Sequence, residues 1–295
     1  MSTGCRWPQS NRSLPILAQA SAFRIPLADE SVHCIVTSPP YWGLRKYSGE
    51  QGQEPLGLEP THERHIERTV QWAREVWRVL RDDGVFWLNC GDSYDSGTQF
   101  NAHAGLGDGY RYNQLPGDGR WAGHRKVATR QGNLMLMPHR IALALQQDGW
   151  IIRQDLVWAK LNPMPESVNG WRWQLDETEP QALQLRRGSW RHTRSHEYVF
   201  MLVKSMKYWS DQEAVRETNS QGTIDRLSSG PVQPSGKNPK NIAIGRWAGQ
   251  DDYTSPTGRN PRSVLHIPTA PYKGAHYATY PPALIAPLIL ATCPR

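Results

Sequence analysis

The feature that most constrains this chain is a short apolar run that ends abruptly at two prolines, Pro39 and Pro40. The β-branched residues within 32–36 predict a buried strand. Neither proline can donate a backbone hydrogen bond, and each fixes its own φ, so the chain after Ser38 is stiff and extended. A hydroxyl (Ser38), a carbonyl (Pro39) and an aromatic ring (Tyr41) therefore meet at the carboxyl end of a strand, where open α/β sheets bind ligands.

This group of atoms is suited to hold a flat, polar ring that carries an amine. The ring of Tyr41 can stack on it, while the Ser38 hydroxyl and the Pro39 carbonyl accept hydrogen bonds from the amine. A Pro-Pro turn after a strand is usually only a turn. The interpretation of this stretch therefore depends on the rest of the chain.

A helix and a second strand follow the proline-terminated strand in a regular order. Residues 61–81 carry apolar side chains at steps of three and four, which predicts a helix, and Asp82-Asp83-Gly84 is expected to end it. The apolar run Val85–Cys90 predicts the next strand. Strand, helix and strand in this order form a parallel βαβ unit. Later segments predict one more helix opened by Pro138 and two further strands, at 150–159 and 196–203.

Composition restricts the class of protein. The mean hydropathy is −0.65 and no apolar run is long enough to span a membrane, so we expect a soluble protein. The chain does not open with a charged and then apolar leader, so we do not expect secretion. The four cysteines are far apart without a CxxC pair, which predicts reduced cytosolic thiols and no zinc site. The 34 Lys and Arg against 27 Asp and Glu give a net charge of +7, which is compatible with a polyanionic partner.

The string Thr37-Ser38-Pro39-Pro40-Tyr41-Trp42-Gly43-Leu44-Arg45 resembles the DNA methyltransferases that methylate exocyclic amines. That family carries Asp, Asn or Ser before Pro-Pro-Tyr or Pro-Pro-Phe, and the Ser form is most similar to its N4-cytosine branch. Further matches follow in the family's order, and the resemblance covers roughly residues 14–94, 133–166 and 195–295. The matching strings are Gly91-Asp92-Ser93-Tyr94, Lys160 to Ser167, Ser195-His196-Glu197-Tyr198, and His276 to Pro281 ahead of an apolar helix.

The resemblance implies an α/β fold, the Rossmann-like class I fold of S-adenosylmethionine-dependent methyltransferases, with its last strands as an antiparallel pair. Residues 14–210 are expected to form the catalytic domain, 211–265 an irregular target-recognition or linker segment, and 266–295 the start of a cofactor-binding half. Family members continue into a strand that ends Asp-Pro-Phe-x-Gly-x-Gly. We therefore expect an incomplete fold, with the remaining strands absent or supplied by a second chain or subunit. Ala20-Ser21 stands where the family usually has Gly-Asp, which is a departure near the expected cofactor.

The resemblance also implies three sets of site residues. The catalytic set is Ser38, Pro39, Pro40 and Tyr41. The set that binds S-adenosylmethionine is Thr37, His276, Ala278, Thr279, Tyr280 and Pro281. The set that binds DNA is Trp42, Arg45, Asp92, Tyr94, Arg186, Arg187 and Arg191. Two alternatives stay open here. Asp92 is equally compatible with a role as a turn or cap residue. The basic insert 167–194 is also compatible with a solvated surface that binds nothing.

The expected activity is methyl transfer from S-adenosylmethionine to the N4 amine of a cytosine that is flipped out of duplex DNA. It needs no metal and no covalent enzyme intermediate, and we expect it in the cytoplasm of a bacterium or phage host, at the nucleoid. Three alternatives remain open from the sequence. They are N6-adenine methylation, an inactive truncated relic that only binds DNA, and an RNA or protein methyltransferase on the same fold.

Overall fold

The structure is a computed structural model, and it describes residues 17–44, 56–95, 132–166, 168, 170–176, 178, 181–228, 258–272 and 279–294. Within these ranges the chain forms seven strands, four α-helices and one short 3-10 helix at Glu213–Val215. The strands are β1 (Val32–Thr37), β2 (Leu80–Cys90), β3 (Ile151–Ala159), β4 (Trp171–Leu175), β5 (Leu183–Arg187), β6 (His196–Val203) and β7 (Val264–His266). The helices are α1 (His62–Val79), α2 (Met137–Gln147), α3 (Gln221–Ser228) and α4 (Pro282–Thr292).

Five of the strands form one mixed sheet in the order β1-β2-β6-β3-β7. The pairs β1–β2 and β3–β7 are parallel, and β6 is antiparallel to both of its neighbours. Strands β1, β2, β3 and β7 therefore run in one direction and β6 in the other. The four parallel strands end, and β6 begins, at one edge of the sheet, which we call the carboxyl edge.

Helices cover both faces of this sheet, because successive side chains of a strand point to opposite faces. Phe86 and Leu88 of β2 pack on one face in a cluster with residues of α1 and α2. Val85 and Trp87 pack on the other face, where Leu284 and Leu288 of α4 cover them. The result is a three-layer α/β arrangement, the fold class that the sequence predicted.

A polar contact ties α4 to the two strands beneath it. Thr292 Oγ1 accepts a hydrogen bond from the Trp87 indole at 3.0 Å and lies 3.5 Å from Cys34 Sγ. The same hydroxyl donates to the Leu288 carbonyl at 2.7 Å, so all of its hydrogen-bonding capacity is used inside the protein. Helix α4 is thereby held in one position against β1 and β2.

The predicted βαβ unit and the predicted antiparallel pair are both confirmed, but the boundary between α1 and β2 was predicted wrongly. The helix ends at Val79, and Leu80 is already extended (φ −73°, ψ 136°) and pairs with Val32. Gly84 is therefore inside β2 and not a helix stop. A Cβ atom there would lie 2.8 Å from Leu80 Cδ1, so the glycine allows a close approach within the strand.

Strands β4 and β5 form a separate antiparallel hairpin, where the sequence had indicated only a basic insert. Successive cross-strand pairs lie alternately on the two faces of the hairpin. The aromatic face carries large apolar side chains that are exposed, and the arginine face carries only polar ones. The aromatic face consists of Trp171, Trp173, Leu175, Leu183 and Leu185, with Arg187 at its end; the arginine face consists of Arg172, Gln174, Gln184 and Arg186.

Candidate active site at the carboxyl edge

The catalytic stretch predicted from the sequence begins directly after β1, at the carboxyl edge of the sheet. Its second proline, Pro40, packs against a loop that contains Gly57. Gly43 donates its N–H to the Gly57 carbonyl at 2.8 Å, and a Cβ atom on Gly57 would lie 2.9 Å from Pro40 Cβ. Gly57 has φ +87°, a conformation that glycine adopts most easily. The loop therefore holds Pro40 in place.

The phenol of Tyr41 lies at the centre of a hydrogen-bond network. Its hydroxyl is 2.7 Å from Glu197 Oε2 on β6, 3.0 Å from Asn89 Oδ1 on β2 and 3.1 Å from Ser38 Oγ. Lys160, directly after β3, forms an ion pair with the other carboxylate oxygen of Glu197, Oε1. Four segments that are far apart in the sequence therefore meet around one side chain.

The environment of Tyr41 keeps its hydroxyl protonated. Burial, followed by the negative charge of Glu197, raises the pKa of the phenol well above its usual 10. A protonated phenol is a hydrogen-bond donor at neutral pH. Both Glu197 Oε2 and Asn89 Oδ1 are acceptors that can receive this hydrogen.

Sequence reasoning did not assign Asn89, Lys160 or Glu197 to the site, although a signal for them existed. Each continues the face of its strand that packs under α4. Asn89 follows Val85 and Trp87 at steps of two, and the same period leads to Lys160 directly after β3 and to Glu197 on β6. That face is apolar within the sheet and becomes polar at the carboxyl edge. Lys160 and Glu197 also lie in two of the strings that resemble the family.

Gly91 lets the ring of Tyr41 approach the end of β2. A Cβ atom on this residue would lie only 2.5 Å from Tyr41 Cε2 and 2.8 Å from Cδ2. No other residue type has a small enough side chain for this contact, so Gly91 provides one wall of the space that the ring occupies.

The structure corrects the assignment of Trp42 to the DNA-binding set. Its side chain is 5% exposed and packs in a small cluster with Met135 and Met137. The indole N–H donates to the Glu59 carbonyl at 2.9 Å. The resemblance placed Trp42 among the DNA contacts, but tertiary packing places it under the motif as a support.

Glu59, which binds Trp42 through its carbonyl, also organises the loop with its side chain. The carboxylate is fully buried and accepts hydrogen bonds from Gly57 N at 2.9 Å and from His65 Nδ1 at 2.8 Å. Arg68 of α1 lies 3.5 Å from its other oxygen. The carboxylate thus links the loop that contains Gly57 to helix α1.

Asp92 also has a different role from the one expected for a DNA contact. Its side chain has no exposed area, and its Oδ1 accepts hydrogen bonds from the N–H groups of Ser93 and Met137, both at 2.9 Å. Its Oδ2 lies 3.3 Å from Arg194 Nη2. Met137 is the first residue of α2, so Asp92 caps that helix, which is the alternative that the sequence left open.

Tyr94 and Arg191 are brought together near the same edge. The Arg191 guanidinium lies over the Tyr94 ring, 3.7 Å from its centre, and pairs with Glu166. By contrast, Arg186 and Arg187 lie in the hairpin, and because they are adjacent in β5 they belong to opposite faces. Arg45, His276 and Ala278 lie outside the described residues.

The described members of the cofactor set lie at the end of β1 and before α4. Tyr280 packs against the cluster that contains Val36 and Leu284, and Pro281 is buried at the start of the helix. Burial raises the pKa of the Tyr280 phenol. Thr37 and Thr279 are partly buried. The aromatic ring of Tyr280 therefore lies ahead of α4 at the carboxyl edge, where open α/β sheets bind ligands.

Three further properties of the described residues concern metal ions, thiols and membranes. No group of His, Cys, Asp and Glu in the described ranges is arranged to hold a metal ion. Burial raises the pKa of Cys34 to about 11, and it raises the pKa of Cys90 as well, so neither thiol is an activated nucleophile at neutral pH. No helix in the same ranges is long and apolar enough to cross a membrane.

Fold and site together define an α/β protein that presents hydrogen-bond acceptors and an aromatic ring at the carboxyl edge of a mixed sheet. The DNA methylase family of N6 and N4 methyltransferases matches residues 32–295, and the chain belongs to this family. It is 38% identical over 269 residues to the Type II methyltransferase M.Cfr9I of Citrobacter freundii, covering 90% of this chain and 68% of that protein. It is 35% identical over 269 residues to M.SmaI of Serratia marcescens, covering 90% and 70%.

Two solved structures are also similar, at low identity. The cytosine-N4-specific PvuII DNA methyltransferase has a TM-score of 0.48 at 15% identity, over 91% of this chain and 66% of that one. The complex of M1.HpyAVI with SAM has a TM-score of 0.35 at 13% identity, over 89% and 66%. Both scores lie below 0.5, so the family assignment rests on the sequence relatives.

Proposed function

We propose that this protein is a site-specific DNA methyltransferase that transfers a methyl group to the N4 amine of cytosine in duplex DNA. The observation that carries the proposal is the position of Ser38 and Pro39 at the carboxyl edge, with the Ser38 hydroxyl 3.1 Å from a fixed phenol. The Ser38 hydroxyl and the Pro39 carbonyl, from neighbouring residues, both offer lone pairs, which suits an exocyclic amine with two N–H donors.

The chemical difficulty of this reaction lies in the amine, whose lone pair is delocalised into the base. Hydrogen bonds from the amine to Ser38 Oγ and to the Pro39 carbonyl favour a pyramidal nitrogen and free the lone pair. The ring of Tyr41 stacks on the base and holds it, with Gly91 allowing the ring its position at the end of β2. The target has to leave the duplex first, because its amine is inaccessible in the stack. Most of the catalytic effect then comes from positioning.

S-adenosylmethionine is the methyl donor of this family, and it supplies an electrophilic methyl group on a sulfonium sulfur. Thr37, Thr279, Tyr280 and Pro281 are the described residues that we assign to its binding, since they lie at the end of β1 and directly ahead of α4. His276 and Ala278 belong to the same proposed set. Whether a second chain contributes to this site is part of the proposal to be tested.

We assign DNA binding to the hairpin and to the pair formed by Tyr94 and Arg191. On the arginine face, Arg172 lies directly opposite Arg186, and each donates to the amide oxygen of a neutral glutamine. Like charges directly opposite each other in a hairpin are destabilising on their own, and a phosphate between them removes the repulsion. A two-stranded ribbon also has the right size for the major groove. Arg187 contributes from the opposite face.

The direct test is methyl transfer from isotopically labelled S-adenosylmethionine to DNA of mixed sequence, followed by digestion to nucleosides and mass analysis. N4-methylcytosine supports the proposal, and N6-methyladenine would replace it with the adenine alternative. Label that enters RNA or protein but not DNA would overturn both. Methylated DNA is then sequenced to find the target position.

A control distinguishes an inactive relic from a failed assay. The relic predicts DNA binding that weakens with salt, without methyl transfer and without affinity for the cofactor. Calorimetry with S-adenosylmethionine, with and without duplex DNA, therefore accompanies the transfer assay. Cofactor binding without transfer would still contradict the relic.

A further inference from the structure

The hydrogen bonds around Tyr41 have a defined direction from donor to acceptor. This direction determines whether Ser38 can accept a hydrogen bond from a ligand. A hydroxyl group has one hydrogen to donate, and an ionised carboxylate can only accept. Tyr41 has two acceptors within reach, Glu197 Oε2 at 2.7 Å and Asn89 Oδ1 at 3.0 Å. Its hydrogen therefore goes to one of them.

The orientation of Asn89 is set independently of Tyr41. Its Nδ2 donates to the Tyr198 carbonyl at 3.1 Å, so Oδ1 is the atom that faces the phenol. Glu197 is held in the same way, because Lys160 occupies its Oε1 and leaves Oε2 for Tyr41. Neither neighbour can donate to the phenol oxygen.

In its third contact, the phenol oxygen must then accept a hydrogen bond. The 3.1 Å contact between Ser38 Oγ and the Tyr41 oxygen is a hydrogen bond only if Ser38 donates. Once the serine hydrogen is used there, the remaining lone pairs of Ser38 Oγ are available to a ligand. Of the two acceptors of the phenol hydrogen, Glu197 Oε2 is the nearer and the charged one. The chain thus runs from Ser38 to Tyr41 to Glu197, and Ser38 is presented as an acceptor.

We propose that Glu197 is a positioning residue that fixes the direction of this hydrogen-bond chain and so makes Ser38 select a base with an amine. The inference rests on the proposed methyl transfer to an exocyclic amine and names what selects the base. An amine meets the lone pairs of Ser38 with an N–H group. A carbonyl oxygen at the same position of the ring, as in uracil, meets them with lone pairs of its own, and one acceptor on each side is left unpaired.

The Glu197→Gln variant tests the proposal, because a glutamine of nearly the same size can donate as well as accept. Its amide can turn its N–H toward the phenol oxygen, so the direction of the chain is no longer fixed. The matched control is Glu67→Gln, which makes the same chemical change on the exposed surface of α1, where Glu67 pairs with Arg64. Tyr41→Phe is a second variant that keeps the ring and removes the chain, for use if Glu197→Gln does not fold.

The first readout needs neither cofactor nor substrate. Tyrosine labelled with ¹³C at Cζ reports the titration of each phenol by NMR, and the Tyr41 signal is the one that Tyr41→Phe removes. Because the charge of Glu197 raises the pKa of the Tyr41 phenol, Glu197→Gln is expected to lower it, and Glu67→Gln to leave it unchanged. An unchanged titration in Glu197→Gln would show that the chain does not exist in solution and would overturn the proposal.

The second readout is base selection, measured as an affinity ratio. Two duplexes carry cytosine or uracil at the mapped target position, each opposite an abasic nucleotide so that no pair has to break. For an adenine target, the two bases are adenine and hypoxanthine. The wild-type protein is expected to prefer the amine by about tenfold or more. Glu197→Gln and Tyr41→Phe are each expected to lose most of this preference, and Glu67→Gln is expected to keep it.

A coupling test separates the proposed role from general destabilisation. Glu197→Gln is expected to slow single-turnover methylation about tenfold in the wild-type background. In a Ser38→Ala background it is expected to have almost no further effect, because Glu197 acts through Ser38. Independent losses in both backgrounds would overturn the proposal. If wild-type protein transfers no methyl group, the proposed function fails, and the NMR titration still decides the role of Glu197.

Discussion

The carboxyl edge and the β4–β5 hairpin are the two regions to which we assign function, and they are built in opposite ways. At the carboxyl edge, polar side chains at the ends of β2, β3 and β6 are buried or partly buried, and each has a partner in the protein. In the hairpin, both faces carry large side chains in contact with solvent, and Trp173 is 66% exposed. Methyl transfer needs atoms held to within a fraction of an ångström, which a layered sheet supplies.

Contact with a long polyanion has different requirements. It needs charge and area more than fixed geometry, and a hairpin attached outside the sheet can supply them without disturbing the core. The comparison therefore predicts that substitutions at the edge affect turnover or stability, whereas substitutions in the hairpin affect DNA affinity. Each of the following experiments tests one side of it.

The largest effect is expected for Ser38→Ala. Loss of one acceptor for the amine should reduce single-turnover methylation by about a hundredfold or more, in line with the loss of other fixed hydrogen-bonding groups in active sites. DNA affinity should change less than about twofold, because the hairpin is intact. The matched control is Ser31→Ala just ahead of the opposite end of β1, where the hydroxyl bonds only to the Ala28 carbonyl. Equal losses of turnover and affinity would contradict the assigned role of Ser38.

The second effect concerns stability, and it compares leucines from the two regions. Leu288 of α4 is 5% exposed against the sheet, and Leu288→Ala should lower the free energy of unfolding by about 2–4 kcal/mol. Leu185 of the hairpin is 46% exposed, and Leu185→Ala should cost less than about 1 kcal/mol. Urea denaturation followed by tryptophan fluorescence measures both. A cost for Leu185→Ala as large as that for Leu288→Ala would show that the hairpin is part of the core.

Gly91→Ala tests how tightly the edge is packed around Tyr41. The added methyl group would lie 2.5 Å from the ring, so the ring or the end of β2 has to move. We expect a cost of about 1–3 kcal/mol, seen as a loss of turnover of about fivefold or more. Gly222→Ala in α3 is the control, because a Cβ atom there has nothing within 4 Å. Full activity in Gly91→Ala would mean that the position of the ring is not important.

The smallest effect is expected in the hairpin, where two charges are removed from one face. Arg172→Gln combined with Arg186→Gln should weaken DNA binding about tenfold and reduce the slope of affinity against salt by about 2. Turnover at saturating DNA should stay the same. Arg187→Gln, on the other face, should have a smaller effect.

Arg81→Gln is the control for these hairpin variants, because it lies at the opposite end of β2 and pairs with Asp83. Fluorescence anisotropy over a range of salt concentrations measures all of these variants. If the loss of affinity is the same for Arg81→Gln, the hairpin has no special role in DNA binding.

Much of the fold could be predicted from the sequence, because it depends on local patterns. The apolar faces of α1 and α2, the β-branched runs of the strands and the stop at the prolines all follow from periodicity and from the backbone chemistry of proline. The boundary at Leu80 could not be predicted in this way. The tendency of Asp82-Asp83-Gly84 to end a helix was outweighed by pairing between Leu80 and Val32, which lie 48 residues apart.

In the candidate site, too, some features follow from local sequence and others depend on contacts between distant segments. The sequence by itself determined that a hydroxyl, a rigid Pro-Pro step and an aromatic ring follow β1, and its resemblance to a family indicated what they do. Only the tertiary structure decided that Trp42 and Asp92 face inward and that Glu197, 156 residues from Tyr41, is its hydrogen-bond partner. The physical reason is that β6 enters the sheet between β2 and β3 in the reverse direction. Its first residues thereby reach the edge where the other strands end, and no local pattern specifies that neighbour.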